Sequence, residues 1–138
     1  DPIASKFVNC LMQAGKKTTA QKIFYDALDM VAGRIKDKEP IEVFLAAINN
    51  IKPRVEVRSK RVGGATYQVP MEVSRKRHLS LAIRWLLTTV RKKKGRLAHR
   101  KLADELVAAY RGEGEAIKKR EDTHRMAEAN KAFAHFAW

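Results

Sequence analysis

The chain has 138 residues, 45% hydrophobic and 32% charged, which is long enough to bury a core and too apolar for a disordered basic tail. Its 29 Lys and Arg against 15 Asp and Glu leave a net charge of +14, which excludes an acidic solvating segment and points to an anionic partner. A single cysteine excludes a disulfide framework and fits a reducing compartment, and no apolar run approaches the ~20 residues of a membrane span.

The charge is unevenly spread. Residues 1–51 hold 7 Lys and Arg against 6 acids, residues 52–101 hold 16 against 2, and residues 102–138 hold 6 against 7. A basic excess confined to one stretch of a folded chain is the footprint of a nucleic-acid binder rather than of a generic soluble surface.

Residues 4–14 read as a short helix with Phe7, Val8, Leu11 and Met12 on one face and Cys10 as a small packing residue. Gly15 ends it. Gly15-Lys16-Lys17-Thr18 is not a phosphate-binding P-loop, which needs a preceding strand and a glycine where this chain has Cys10. Two lysines at a helix corner still suit a phosphate backbone. Thr18 or Thr19 caps a second helix over 20–35, where Ala20, Ile23, Phe24, Ala27, Leu28 and Val31 recur at the helical period. Pro40 fits the first turn of a third helix over 40–51, with Ile41, Phe44, Leu45 and Ile48 buried.

Residues 54–73 read as one β-hairpin. Val55, Val57, Val69, Met71 and Val73 alternate, which gives each arm an apolar face near its base. Gly63-Gly64 suits a tight turn. Arg58, Lys60 and Arg61 crowd one arm toward the tip, opposite Thr66, Tyr67 and Gln68. A ribbon without a third strand is marginal in water. It is therefore expected to protrude, to lie on something anionic, and to be mobile until bound because only its base can pack. Pro70 suits an edge strand. Tyr67 either stacks on a base or packs across the strands.

A long helix over 75–94 turns Leu79, Ala82, Ile83, Leu86, Leu87 and Val90 inward, with Trp85 packed. Arg77, Arg84 and Arg91 recur every seven places on another side. Arg91-Lys92-Lys93-Lys94-Gly95-Arg96 is a basic corner. Residues 97–110 form another amphipathic helix, broken by Gly112 and Gly114. The last helix, over 115–134, offers i,i+4 pairs at Lys118/Asp122 and Glu121/Arg125 and a thin apolar stripe of Met126, Ala129, Phe133 and Phe136. The stripe docks on its own domain or on a neighbour.

His78, His99, His124 and His135 lie in separate segments with no carboxylate or cysteine at metal-ligand spacing. No catalytic constellation, metal, cofactor or small-molecule substrate is expected. The fold class is mainly α: a single domain, 1–138, of about six helices with a protruding two-stranded β-hairpin arm between the third and fourth. An architectural DNA-binding protein with a β-ribbon arm is the main alternative. Its wedge proline belongs at the ribbon tip, whereas Pro70 lies six places past Gly64.

Three sets of strings carry a family pattern. They are Phe7-Val8-Asn9 through Gly15-Lys16-Lys17 to Ile23-Phe24-Tyr25-Asp26-Ala27; Arg61-Val62-Gly63-Gly64-Ala65-Thr66-Tyr67-Gln68-Val69-Pro70 with Arg84-Trp85-Leu86; and Lys118-Lys119-Arg120-Glu121-Asp122-Thr123-His124-Arg125-Met126 to His135. Over nearly the whole chain the sequence resembles the bacterial-type small-subunit ribosomal protein numbered seven. The resemblance implies binding to the 3′ major domain of small-subunit rRNA, nucleation of head assembly, and a hairpin and last helix near the exit-site tRNA and the mRNA path. It implies small-subunit proteins nine and eleven as neighbours, in a cytoplasmic ribosome or an organellar one. Lys16, Lys17 and Lys22 match the family's first basic loop and second helix. Arg54, Arg58, Lys60 and Arg61 match its hairpin arm, Arg75, Arg77 and Arg84 the helix after it, and Lys118, Lys119, Arg120 and Arg125 the last helix. The pattern of the residues themselves adds Tyr67, Arg91, Lys92, Lys93 and Lys94 as RNA contacts. The family's basic N-terminal arm is absent before Asp1, through truncation, disorder or loss, and the spacer from Ile3 to Phe7 is shorter than the family's, which points to residues missing there; ending at Trp138 fits the family's short-tailed forms.

Overall fold

A computed structural model describes residues 1–137, and Trp138 lies outside the described residues. In chain order the elements are α1 (Pro2–Leu11), α2 (Lys17–Arg34), α3 (Pro40–Ile51), β1 (Val55–Val62), β2 (Ala65–Glu72), α4 (Arg75–Lys92), α5 (Ala98–Tyr110), α6 (Glu115–Ala129) and a C-terminal 3-10 helix (Lys131–Phe136). The mainly helical class and the hairpin between the third and fourth helices match the sequence expectation.

Helix ends differ where local hydrogen bonding decides them. α1 begins at Pro2 because the Asp1 carboxylate accepts the N–H groups of Ile3 and Ala4, at 2.7 and 3.3 Å. It stops at Leu11, short of the positive-φ pair Ala14 and Gly15. α2 starts at Lys17, so Thr18 and Thr19 lie inside its first turn, and Lys16 holds the cap position with no side-chain bond. α6 ends at Ala129 rather than near 134. There the Asn130 side chain donates to the Met126 carbonyl at 2.8 Å and the chain tightens into the 3-10 helix.

The core forms around α5, whose Leu102, Ala103, Leu106 and Ala109 are fully buried against α2 and α3. Phe7, Phe24 and Phe44 knit α1, α2 and α3 together, with ring centroids 5.0–5.7 Å apart. In α3 the fully buried residues include Val43, Ala47 and Ile51, while Ile41 and Leu45 are half-buried. α4 buries Trp85 as expected, and Leu81 and Thr89 beyond the expected stripe, because it packs against α1, α3, α5 and α6 together. Cys10 is exposed, which corrects its assignment as a packing residue. Ala4, Phe7, Val8 and Leu11 fill the inward face of α1, and position 10 falls outside it.

β1 and β2 pair antiparallel from Val55↔Glu72 to Val62↔Ala65, closed by Gly63 and Gly64 at φ 56° and 86°. Both turn residues lie in the left-handed region that the mirror-image hairpin turn requires, where a side chain is strained. The register sets Val57 opposite Pro70 and Arg58 opposite Val69. Each arm thus has its apolar face, as alternation requires, but Val55 and Val57 lie on the opposite face of the ribbon from Val69 and Met71. The face carrying Glu56, Tyr67 and Val69 rests on α6 and the 3-10 helix, and Val69 is fully buried. The ribbon is thus covered well beyond its base, which corrects the expectation that only the base can pack.

Candidate nucleic-acid interface

On the ribbon, Arg54, Arg58 and Arg61 are exposed. Alternation along β1 places Arg58 and Lys60 on the covered side and Arg61 on the other. Lys60 is half-buried, and its ammonium donates to the Phe136 carbonyl at 2.6 Å. Tyr67 is neither an open stacking platform nor simply a cross-strand contact. Its ring lies 5.1 Å from Phe133 and 4.9 Å from Phe136. At the ribbon base the Arg54 N–H donates to His124 Nε2 at 2.9 Å, which fixes that imidazole as the neutral tautomer protonated on Nδ1. Burial, and then the charges of Arg54 and Arg120, hold the His124 pKa below its ordinary value.

α4 opens with Ser74 as its cap, accepting the Arg77 N–H at 3.4 Å. Arg75 and Arg84 are exposed. Arg77 is fastened to Glu56 at 2.6 Å, and that hydrogen bond raises the guanidinium pKa further. It joins α4 to the ribbon and is not an open cation of the seven-residue repeat. Arg91 is exposed and donates to the Cys10 carbonyl at 3.3 Å. With Lys6 and Thr88, Arg84 and Arg91 line a shallow groove between α1 and α4.

The basic corner divides in the same way. Lys92 and Lys94 are exposed, whereas Lys93 turns inward to Glu105 at 3.3 Å. Arg96 and Arg34 both hold Asp104, at 2.5 and 2.6 Å. Burial would push the Asp104 pKa up, but the two guanidiniums outweigh it and hold the carboxyl below its ordinary range. Lys16 and Lys17 are exposed at the start of α2, and Lys22 makes a surface pair with Asp26 at 3.4 Å.

On α6, Lys118 and Lys119 are exposed. Arg120 is half-buried and donates to the Asn50 carbonyl, and the Asn50 amide in turn donates to the Ala109 carbonyl at 3.0 Å, stitching α3, α5 and α6. Arg125 pairs with Asp122 three places back, and Glu121 with its neighbour Arg120 at 3.4 Å. These replace the expected pairs Lys118/Asp122 and Glu121/Arg125. Phe133 and Phe136 of the apolar stripe dock on Tyr67, and Met126 is left exposed.

The candidate RNA-binding residues therefore fall into two groups. Lys16, Lys17, Lys22, Arg54, Arg58, Arg61, Arg75, Arg84, Arg91, Lys92, Lys94, Lys118, Lys119 and Arg125 are exposed. Lys60, Tyr67, Arg77, Lys93 and Arg120 are bound into the fold. The sequence reading missed Glu105 and Asn50, whose partners are distant in sequence. It passed over Lys6, which the i to i+4 spacing to Cys10 places on the exposed edge of α1. No group of three or more His, Cys, Asp or Glu suited to a metal ion occurs among the described residues.

The model of the family described as "Ribosomal protein S7p/S5e" matches residues 1–131. A small ribosomal subunit protein uS7 of Rhodopirellula baltica is 66% identical over 137 residues, covering 99% of this chain and 87% of that protein. The protein of the same name from Desulfotalea psychrophila is 56% identical over 136 residues, covering 99% and 87%. That from Thermotoga maritima is 56% identical over 138 residues, covering 100% and 88%.

Proposed function

This chain belongs to the S7p/S5e family of ribosomal proteins, bacterial-type proteins of the small subunit and not enzymes, and on that footing we propose that it clamps a junction in the 3′ major domain of small-subunit rRNA. The observation that carries the reading is the set of exposed arginines Arg58, Arg61, Arg75 and Arg84, on a ribbon and a helix tied together by Arg77 and Glu56. Cations at a fixed angle on two rigid elements hold two RNA helices in one geometry. Each phosphate they neutralise releases counterions, so binding weakens steeply with salt. Side chains read the deep groove of A-form RNA poorly, so recognition rests on phosphates, 2′-hydroxyls and shape. Such a clamp nucleates assembly of the subunit head. In this reading the ribbon and α6 lie near the exit-site tRNA and the mRNA path, with small-subunit proteins nine and eleven as neighbours.

The experiment is a titration at several salt concentrations. The ligands are the 3′ major domain RNA, an unrelated RNA of equal length, and duplex DNA. A strong preference for the ribosomal RNA is expected, with a salt slope reduced by about 1.4–1.8 when Arg58 and Arg61 are both changed to Ala, at ~0.7–0.9 per phosphate contact. Equal binding to all three ligands would sink the proposal and leave only a nonspecific basic surface.

A further inference from the structure

The free end of the ribbon is held by the end of the chain. Tyr67, near the turn end of β2, meets Phe133 at 5.1 Å and Phe136 at 4.9 Å, and the two phenylalanine rings lie nearly parallel, 6.4 Å apart. Beside them Lys60 donates to the Phe136 carbonyl at 2.6 Å, where a helix C-terminus favours a cation. All three rings are half-buried, and none belongs to the main core. Two arms that are marginal as an isolated ribbon thus gain a third packed partner, and aromatic pairs of this geometry add to the area they bury.

From this, and resting on the RNA-binding reading above, we infer that Tyr67, Phe133, Phe136 and Lys60 are positioning residues: they clasp the ribbon to the 3-10 helix so that Arg58 and Arg61 are already aimed before RNA arrives. A ribbon that is already ordered does not pay its ordering cost on binding, so the clasp raises affinity without contributing a phosphate contact. Lys60 then serves the interface through Phe136 rather than through a phosphate.

The test compares the full chain with its Phe133→Ala/Phe136→Ala and Lys60→Met variants. Amide hydrogen exchange of the free proteins is read first. Amides from Arg58 to Tyr67 are expected to exchange on the order of tenfold faster in both variants, while those of α2 and α5 stay unchanged. Affinity for the 3′ major domain RNA is expected to fall by a similar factor with the salt slope preserved, because no phosphate contact is lost. Unchanged exchange at the ribbon would overturn the clasp whatever the RNA result. Faster exchange with unchanged affinity would remove its role in binding, and a shallower slope for Lys60→Met would return that residue to the phosphate contacts. If the parent protein shows no preference for the ribosomal RNA, the RNA reading fails while the exchange data still decide the clasp.

Discussion

Lys93 Nζ lies 3.3 Å from Glu105 Oε2, and only 2% of the Glu105 side chain is exposed. A lysine of the basic corner thus neutralises a carboxylate in the core. The other carboxylate oxygen accepts the Ala116 N–H at 3.1 Å, in the first turn of α6. Removing the carboxylate leaves a half-buried cation and a buried N–H without partners. Glu105→Ala should therefore lower unfolding stability by ~3–5 kcal/mol in urea. Glu105→Gln, which keeps an acceptor for Ala116, should cost less. Equal losses for the two would mean that the ion pair with Lys93, which both changes remove, carries the effect and that the acceptor for Ala116 adds nothing.

Gly114 makes that contact possible. It sits at φ +96°, and a Cβ there would come within 2.8 Å of Glu105 Oε1 and 3.0 Å of the Ala108 Cβ. Gly114→Ala should cost at least ~1–2 kcal/mol from the left-handed backbone alone. It should also reduce the additional effect of Glu105→Ala, since the two changes damage one contact, and a double-mutant cycle measures that coupling.

Asp104 gives the fold an acid-sensitive latch. Its pKa in the folded protein is depressed, so its stabilising effect is present above its ordinary value of 3.8 and is lost as pH falls through the lower folded value. Asp104→Asn should be clearly less stable than the parent at pH 7. The gap should narrow as pH drops below ~4. Urea midpoints for both proteins across that range check this, and a constant gap would contradict it.

His124 works in the opposite chemical sense with the same direction in pH. Its folded pKa is lowered, so the folded state favours the neutral ring that accepts the Arg54 N–H. That stabilisation is complete above ~6.5 and declines as pH falls and the unfolded chain takes up its proton first. The parent should lose stability between about pH 7 and pH 5 relative to His124→Asn. Nitrogen-detected imidazole titration would give the folded pKa directly, and a value above the ordinary one would refute the assignment.

Phe24 is the shared member of the aromatic cluster, in contact with Phe7, Tyr25 and Phe44. It is 1% exposed. Phe24→Ala should cost ~3–5 kcal/mol, the range for a large core aromatic. An exposed aromatic such as Tyr25 should cost far less, and thermal melts of the two variants make the comparison.

The helical stripes were readable because a period near 3.6 is visible in one sequence: Ala20, Phe24, Ala27, Leu28 and Val31 are all buried as their spacing requires. The Gly63-Gly64 turn was readable because few dipeptides tolerate two positive φ values in succession. The relation between the two apolar faces of the ribbon follows from its turn. A two-residue turn pairs odd positions with even ones, so the odd-numbered Val57 and Val69 must point to opposite faces. The division of the cations was not readable. Arg77 finds Glu56 21 residues away and Arg120 finds Asn50 70 residues away, and such pairs exist only once the helices have packed. Local spacing suggested Lys118 with Asp122 and Glu121 with Arg125; the packed surface chose shorter steps.

The two ends of the clasp are separated by 76 residues, Lys60 to Phe136. A nascent chain grows at ~5–20 residues per second, so the ribbon waits roughly 4–15 s after its synthesis before its partner exists. Until α6 and then the 3-10 helix have been made, the face bearing Val69 lacks its cover. The ribbon is therefore the part of this molecule most exposed to strand pairing with a neighbouring nascent chain. Pro70, which removes a ladder donor, and the cationic Arg58 and Arg61 protect it while it is unclasped. Cations that the proposed RNA clamp would use thus also guard the newborn chain.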